Sequence, residues 1–383
     1  MNQNNTTKDI SIIGGSVAGL FTAYLLANEG CNVRVFEAAE AIDPSPRSLI
    51  VTKYFQDLLG PIGNDAVINQ IRRFELFTDG RAATISLADP DLVIERNKLI
   101  RGLAEKAEAG GAQIVTGRRF LGLELNGGKL QFALSGNGDG GSSKESTDTL
   151  VGADGALSSV AHSVGHPDAP TVFLMQAVVN LPSDLPPDTT RVWFVPEETP
   201  YFFWLIPHSE KQGVLGLIGH DDKDARHSIE RFLEKKNLSP IEFQSARIAD
   251  YTGWRPNRHK IGQSDVYLVG DAAGHVKIST VGGVVTGLRG AMGTAQAIMN
   301  GGASTELDVL RKELDRHRLI RWVLNRFSQT EYSRLIDLLT PPTKRSLSQI
   351  NRDEANKLLK RVIFNQPKIL LLALRTLIFG RRS

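Results

Sequence analysis

Residues 9–37 read DISIIGGSVAGLFTAYLLANEGCNVRVFE. Ile10 to Ile13 form a short apolar run that turns at Gly14 and Gly15, and Val17, Leu20, Phe21, Tyr24 and Leu25 then recur at helical spacing. Asn32 to Phe36 reads as a second strand ending at Glu37. Strand, tight turn, helix, strand is a βαβ unit, the opening of a Rossmann-like α/β domain.

A dinucleotide at such a turn needs a glycine for the bend, a small residue where backbone nears the pyrophosphate, and a glycine where helix meets strand. Gly14, Ser16 and Gly19 occupy those places, with Gly15, Val17 and Ala18 completing the turn. The Ser16 hydroxyl can itself bond a phosphate, and a helix N-terminus favours negative charge. Glu37 stands where an acid accepts hydrogen bonds from ribose hydroxyls.

Two further glycine and acid signatures follow. Val151 to Val160 reads VGADGALSSV, a strand ending in Asp154-Gly155 that lets carboxylate and backbone approach a ligand together. Val266 to Val269 then runs into Gly270-Asp271-Ala272-Ala273-Gly274 and the glycine-rich VKISTVGGVVTGLRGA. Asp271 is placed to bond a ribityl chain, and Gly282, Gly283 and Val284 to face the pyrimidine edge of a flavin.

Together the three signatures resemble the flavoprotein class that includes p-hydroxybenzoate hydroxylase, over residues 9 to about 300. Within it the third segment looks most like the geranylgeranyl reductase family, whose sequence there is close to GDAAGxVKPTTGGGI. His275-Val276-Lys277, Thr280, Gly282, Gly283, Val284 and Gly287 match, whereas Ile278, Ser279 and Val281 depart. Phe202-Phe203-Trp204-Leu205-Ile206-Pro207 resembles the family's YxWxFP element, which implies that Phe202, Trp204 and Pro207 line a substrate cavity. The resemblance places Arg47 and Arg96 at the pyrophosphate or flavin and Phe120 at the adenine. It implies FAD as cofactor, with the electron donor, NAD(P)H or a ferredoxin, left open. Where the family often has a cysteine after the second strand, this chain reads Pro46-Arg47-Ser48-Leu49.

The expected architecture is a discontinuous FAD-binding domain (9–50, 90–165 and 250–303), an inserted antiparallel-sheet substrate domain (51–89 and 166–249), and C-terminal helices (304–383). Alternating, aromatic-rich segments such as Arg191 to Val195 and Val214 to Ile218 carry the sheet. The polar stretch GNGDGGSSKES from Gly136 reads as an exposed hairpin loop. With 383 residues, 41% hydrophobic, the chain can bury a large core.

One cysteine, Cys31, excludes an internal disulfide, and the scattered histidines lack metal spacing, so no metal is expected. The N-terminus has no signal-peptide pattern and no run of eighteen apolar residues occurs, which points to a cytoplasmic protein, soluble or peripheral at a membrane. Net charge is +3, yet residues 344–383 hold ten Lys/Arg against two acids. Residues 357–382, basic and amphipathic with a break at Pro367, suit either a membrane interface or packing on the core. Nothing points to nucleic acid; the expected partner is a small molecule or lipid.

The leading expectation is an FAD-dependent oxidoreductase that saturates double bonds of a polyprenyl chain. An FAD monooxygenase or halogenase acting on an aromatic or polyketide, and a non-redox prenyl-lipid carrier, stay open beside it.

Overall fold

The computed structural model describes residues 8–136 and 141–379, with side chains as far as Leu377. Its first sheet runs in the order Arg258–Ile261, Ser264–Leu268, Thr149–Gly152, Asp9–Ile13, Asn32–Phe36, Gln113–Val115. All pairs are parallel except the edge strand Arg258–Ile261. The inner strands are nearly continuous apolar runs because helices cover them: Val17–Asn28, Arg96–Ala109 and Val284–Met299 pack into one core through Leu20, Leu26, Leu103, Leu288 and Ile298.

The second sheet has eight strands, ordered Pro240–Ala249, Thr171–Asn180, Gln212–Gly219, Phe203–Pro207, Thr189–Trp193, Val67–Thr78, Arg81–Glu95, Ser48–Val51. It is antiparallel except for one seam, where Thr189–Trp193 lies parallel to Arg73–Phe77. The seam joins two meanders that the FAD-domain segment separates in sequence, so no tight turn dictates their relative direction. A three-stranded sheet, Phe120–Asn126, Lys129–Ser135 and Ser142–Thr147, packs on the face of the first sheet opposite its three helices, through Phe132 and Leu134 against Ile13, Phe36 and Leu150.

That last strand corrects the expected loop. Residues 137–140 lie outside the described residues, but Ser142–Thr147 pairs along its length with Lys129–Ser135. Its charged side chains are satisfied by partners that sequence spacing does not show, Glu145 by Arg34 at 2.8 Å and Lys144 by Glu124. From Thr305 the described chain is helical: Thr305–Leu324, Gln329–Asp337, Pro341–Ser348, Ala355–Asn365 and Pro367–Phe379. None of the described helices is long and apolar enough to cross a membrane.

Candidate functional site

The three signatures meet at the carboxyl ends of the parallel strands, the expected position for a ligand in an open α/β sheet. Gly14 has φ +108°, and a Cβ there would stand 2.5 Å from the Ala153 carbonyl oxygen; one on Gly19 would stand 2.3 Å from the Gly14 oxygen. Both contacts are too close for any side chain, so these glycines let the first turn sit directly against the second signature. The Ser16 hydroxyl accepts the Gly19 amide at 3.1 Å as the helix N-cap, and Ser16, Val17 and Ala18 border the cavity. The Gly15 amide donates to Glu37 at 2.6 Å and the Ala39 amide to its other oxygen at 2.8 Å, fixing the carboxylate against the first turn, outside the cavity lining. Each oxygen keeps a lone pair for another donor.

The second signature splits by role. Asp154 accepts the Ser158 hydroxyl at 2.5 Å and the Val160 amide at 3.2 Å, and burial raises its pKa. It therefore supports the short helix Ser159–Ser163, while Gly155, at φ +85°, borders the cavity. The Phe120 ring is buried with Phe132 and Leu134 in the core beneath the three-stranded sheet, which leaves only its backbone for a ligand.

Gly270 turns at φ +65°, and Asp271 enters an enclosed site opposite Arg47 and Arg96. Enclosure raises the Asp271 pKa, and it lowers those of both arginines, Arg47 to about 10 with the Arg96 charge adding to the effect. Arg47 Nε is buried without a hydrogen-bond partner among the described residues. Asp271 and Glu95 face both guanidinium groups, and the unused Arg47 Nε–H is a donor that an anion in the cavity could accept. Gly282, Gly283 and Val284 form a ridge that opens the sixteen-residue helix Val284–Met299. A Cβ on Gly283 would come 3.2 Å from the Asp271 carboxylate.

Val281, just before the ridge, has φ +52°, a conformation that a β-branched residue rarely takes. It is buried and lines the same cavity.

The cavity, about 770 Å³ in all with the end bordered by Ser16, Arg47 and Asp271 included, extends past the ridge between the second sheet and the C-terminal helices. Phe202 and Trp204 stand in its wall, their rings 6.1 Å apart and edge to face. Pro207 does not; it is buried at its strand end, where its carbonyl accepts Asn69 at 2.9 Å. Trp204 lies so close over Gly216 that a Cβ there would fall 2.5 Å from the indole. Sequence reasoning missed Phe74, Val192, Ile350 and Leu358 in the wall, and the ion pair of Lys277 with Asp353 at its base. Lys277 alone carried a signal, as a match to the family motif.

The buried histidines His275 and His317 do not line the cavity. His275, 0% exposed, has neither ring nitrogen hydrogen-bonded and stacks on Trp254, and burial lowers its pKa to about 3. Among the described residues no cluster of three or more His, Cys, Asp or Glu could hold a metal ion.

The site fits FAD on its own geometry: glycine turns that side chains would block, a cationic pair with an unused donor, and two helix N-termini facing one cavity. Gly14 to Gly19, Glu37, Arg47, Arg96 and Asp271 would hold it. Comparison with known proteins agrees. The family model described as FAD binding domain matches residues 7–300. Geranylgeranyl diphosphate reductase of Rhodobacter capsulatus is 26% identical over 322 residues, 79% of this chain and 78% of that protein. Digeranylgeranylglycerophospholipid reductase 2 of Methanothermobacter thermautotrophicus is 25% identical over 291 residues, 72% of this chain and 74% of that protein. A solved geranylgeranyl bacteriochlorophyll reductase-like protein from Thermoplasma acidophilum shares the fold, with TM-score 0.77 at 18% identity over 97% of this chain and 99% of that one. The chain belongs to the FAD binding domain family and is an FAD-dependent oxidoreductase with geranylgeranyl reductases among its relatives.

Proposed function

We propose that this flavoprotein reduces double bonds of a polyprenyl chain. The observation that carries the reading is the continuity of the cavity: it leaves the Gly282–Gly283 ridge and runs on between apolar and aromatic side chains of the sheet and the C-terminal helices. Such a channel suits a long hydrocarbon better than a compact polar ring. Reductases of prenyl compounds among the relatives support it.

When bound, reduced FAD supplies a hydride equivalent, and the protein's part is to bind, orient and exclude water. Arg47 and Arg96 hold the cofactor's charge. Phe202, Trp204 and Val281 would set a double bond against the ridge, and the apolar wall keeps water from it. Anaerobic incubation of the reduced enzyme with prenyl lipids should give a mass gain of about two per bond saturated. Substrate-dependent oxygen consumption without that gain would instead make the protein an oxygenase.

Delivery of such a substrate would occur at a membrane surface. Phe364 is 87% exposed and Leu371 63%, on adjacent helices that also carry Lys360, Arg361, Lys368 and Arg375. An apolar face flanked by cations suits an anionic lipid interface. Deleting residues after Pro367 should abolish binding to anionic vesicles, and unchanged binding would remove this part of the reading.

A further inference from the structure

Behind the flavin-facing ridge lies a buried set of charges that the chemistry above does not use. Lys277 is 5% exposed, and its ammonium pairs with Asp353, 4% exposed. The other Asp353 oxygen accepts the Thr52 hydroxyl at 2.6 Å. The preceding residue, Arg352, pairs with Asp91 and lies 4.9 Å over the Phe74 ring. Two adjacent residues of opposite charge thus fasten the C-terminal segment, one to the sheet and one to the flavin loop.

Lys277 is tied to the ridge itself. Its amide donates to the Gly282 carbonyl at 3.0 Å and its carbonyl accepts the Gly282 amide at 3.1 Å. Its Nζ lies 3.7 Å from where a Cβ on Gly282 would stand. Other groups facing the pair are His317, bonded to Ser279 at 2.8 Å and held neutral by burial, and the Arg352 guanidinium, which Asp91 already compensates. Lys277 is the only lysine among the described residues lining the cavity.

We propose that Lys277 is the counter-charge for the reduced flavin and that Asp353 competes with the flavin for it. Uptake of two electrons and one proton leaves the flavin with one additional negative charge. Against a neutral oxidised ring, Lys277 gives its whole attraction to Asp353 and the segment is clasped. Against the reduced ring the ammonium is shared and the clasp loosens. Coupling between two sites is reciprocal, so a clasped segment disfavours reduction and a released one favours it. Ile350 and Leu358, on either side of the clasp, line the cavity, so its release loosens that part of the cavity wall. The inference rests on FAD occupancy and not on the prenyl reading.

The test needs no substrate. FAD-loaded wild type, Lys277→Met, Lys277→Arg and Asp353→Asn are titrated anaerobically with dithionite against a reference dye. Hydrogen exchange over residues 341–365 is measured in both oxidation states. Lys277→Met should weaken the preference for reduced over oxidised flavin by roughly tenfold, about 30 mV for a two-electron couple. Lys277→Arg should keep the wild-type potential, and Asp353→Asn should shift it the opposite way. Wild-type exchange in the segment should quicken on reduction, and in Lys277→Met it should no longer depend on flavin state. Equal potentials in wild type and Lys277→Met, an Asp353→Asn shift in the same direction as Lys277→Met, or wild-type exchange indifferent to flavin state would overturn the proposal. The wild-type exchange comparison decides alone if a variant loses FAD.

Discussion

Val281 holds a left-handed backbone that costs an L-residue roughly 1–2 kcal/mol, yet its side chain is buried among Ile218, Tyr251 and Ile278. The two effects separate by truncation. Val281→Ala loses the packing and keeps the strain, whereas Val281→Gly loses the packing and sheds it. Thermal unfolding should therefore find the glycine variant more stable than the alanine variant by about 1 kcal/mol, the reverse of the usual order. His275 makes a second residue-scale prediction. Its pKa is lowered to about 3 by burial, while the unfolded chain takes up its proton near pH 6.5. Between those values the unfolded state binds more protons, so stability falls as the pH drops through 6.5 and goes on falling to about 3. The share lost between pH 7 and 5 is roughly 2 kcal/mol. Urea unfolding of His275→Gln should show a pH 7 to 5 loss smaller than wild type by about that amount.

Among elements, the anion site is made by convergence. Arg47 comes from the loop after the second strand and Arg96 from the start of the helix Arg96–Ala109, and burial together with the Arg96 charge lowers the Arg47 pKa. Arg47→Met should change stability without FAD little, because burial and the Arg96 charge oppose the guanidinium while Asp271 and Glu95 favour it, and its Nε makes no hydrogen bond among the described residues. FAD affinity, followed by flavin fluorescence, should drop 10- to 100-fold, the worth of one charge-assisted hydrogen-bonded contact. The elements that sequence made legible were those with internal periodicity: the βαβ unit, Arg96–Ala109 at its 3.6-residue spacing, and the alternating strands around Trp204. Ser142–Thr147 was illegible because its residues are polar on both faces and Glu145 is satisfied by Arg34, far off in sequence. Separation along the chain hid Phe74, Val192, Ile350 and Leu358, which meet in the cavity wall only in the folded state. Glycine turns announce themselves locally, but nothing in Arg352-Asp353 signals Asp91 and Lys277.

At the scale of the whole molecule, the parallel seam between Thr189–Trp193 and Arg73–Phe77 joins sheet halves that the FAD domain interrupts, and the C-terminal helices then close over both. The parallel and the alternating strand patterns were readable as classes; the closure of the C-terminal segment was not, since it depends on contacts such as Thr52 with Asp353, 301 residues apart. The spread of the cofactor site along the chain also bears on biosynthesis. Its contributors run from Gly14 to Gly287, so a ribosome working at about 5–20 residues per second delivers the last of them on the order of 10–50 s after the first. Until Thr149–Gly152 emerges, about midway, the nascent βαβ unit must persist with its Asp9–Ile13 edge unpaired, and until the end of the interval without the complete site for a ligand to stabilise it. The tight glycine turn and the Ser16 cap, which need only local sequence, are the features able to hold it until the cofactor can bind.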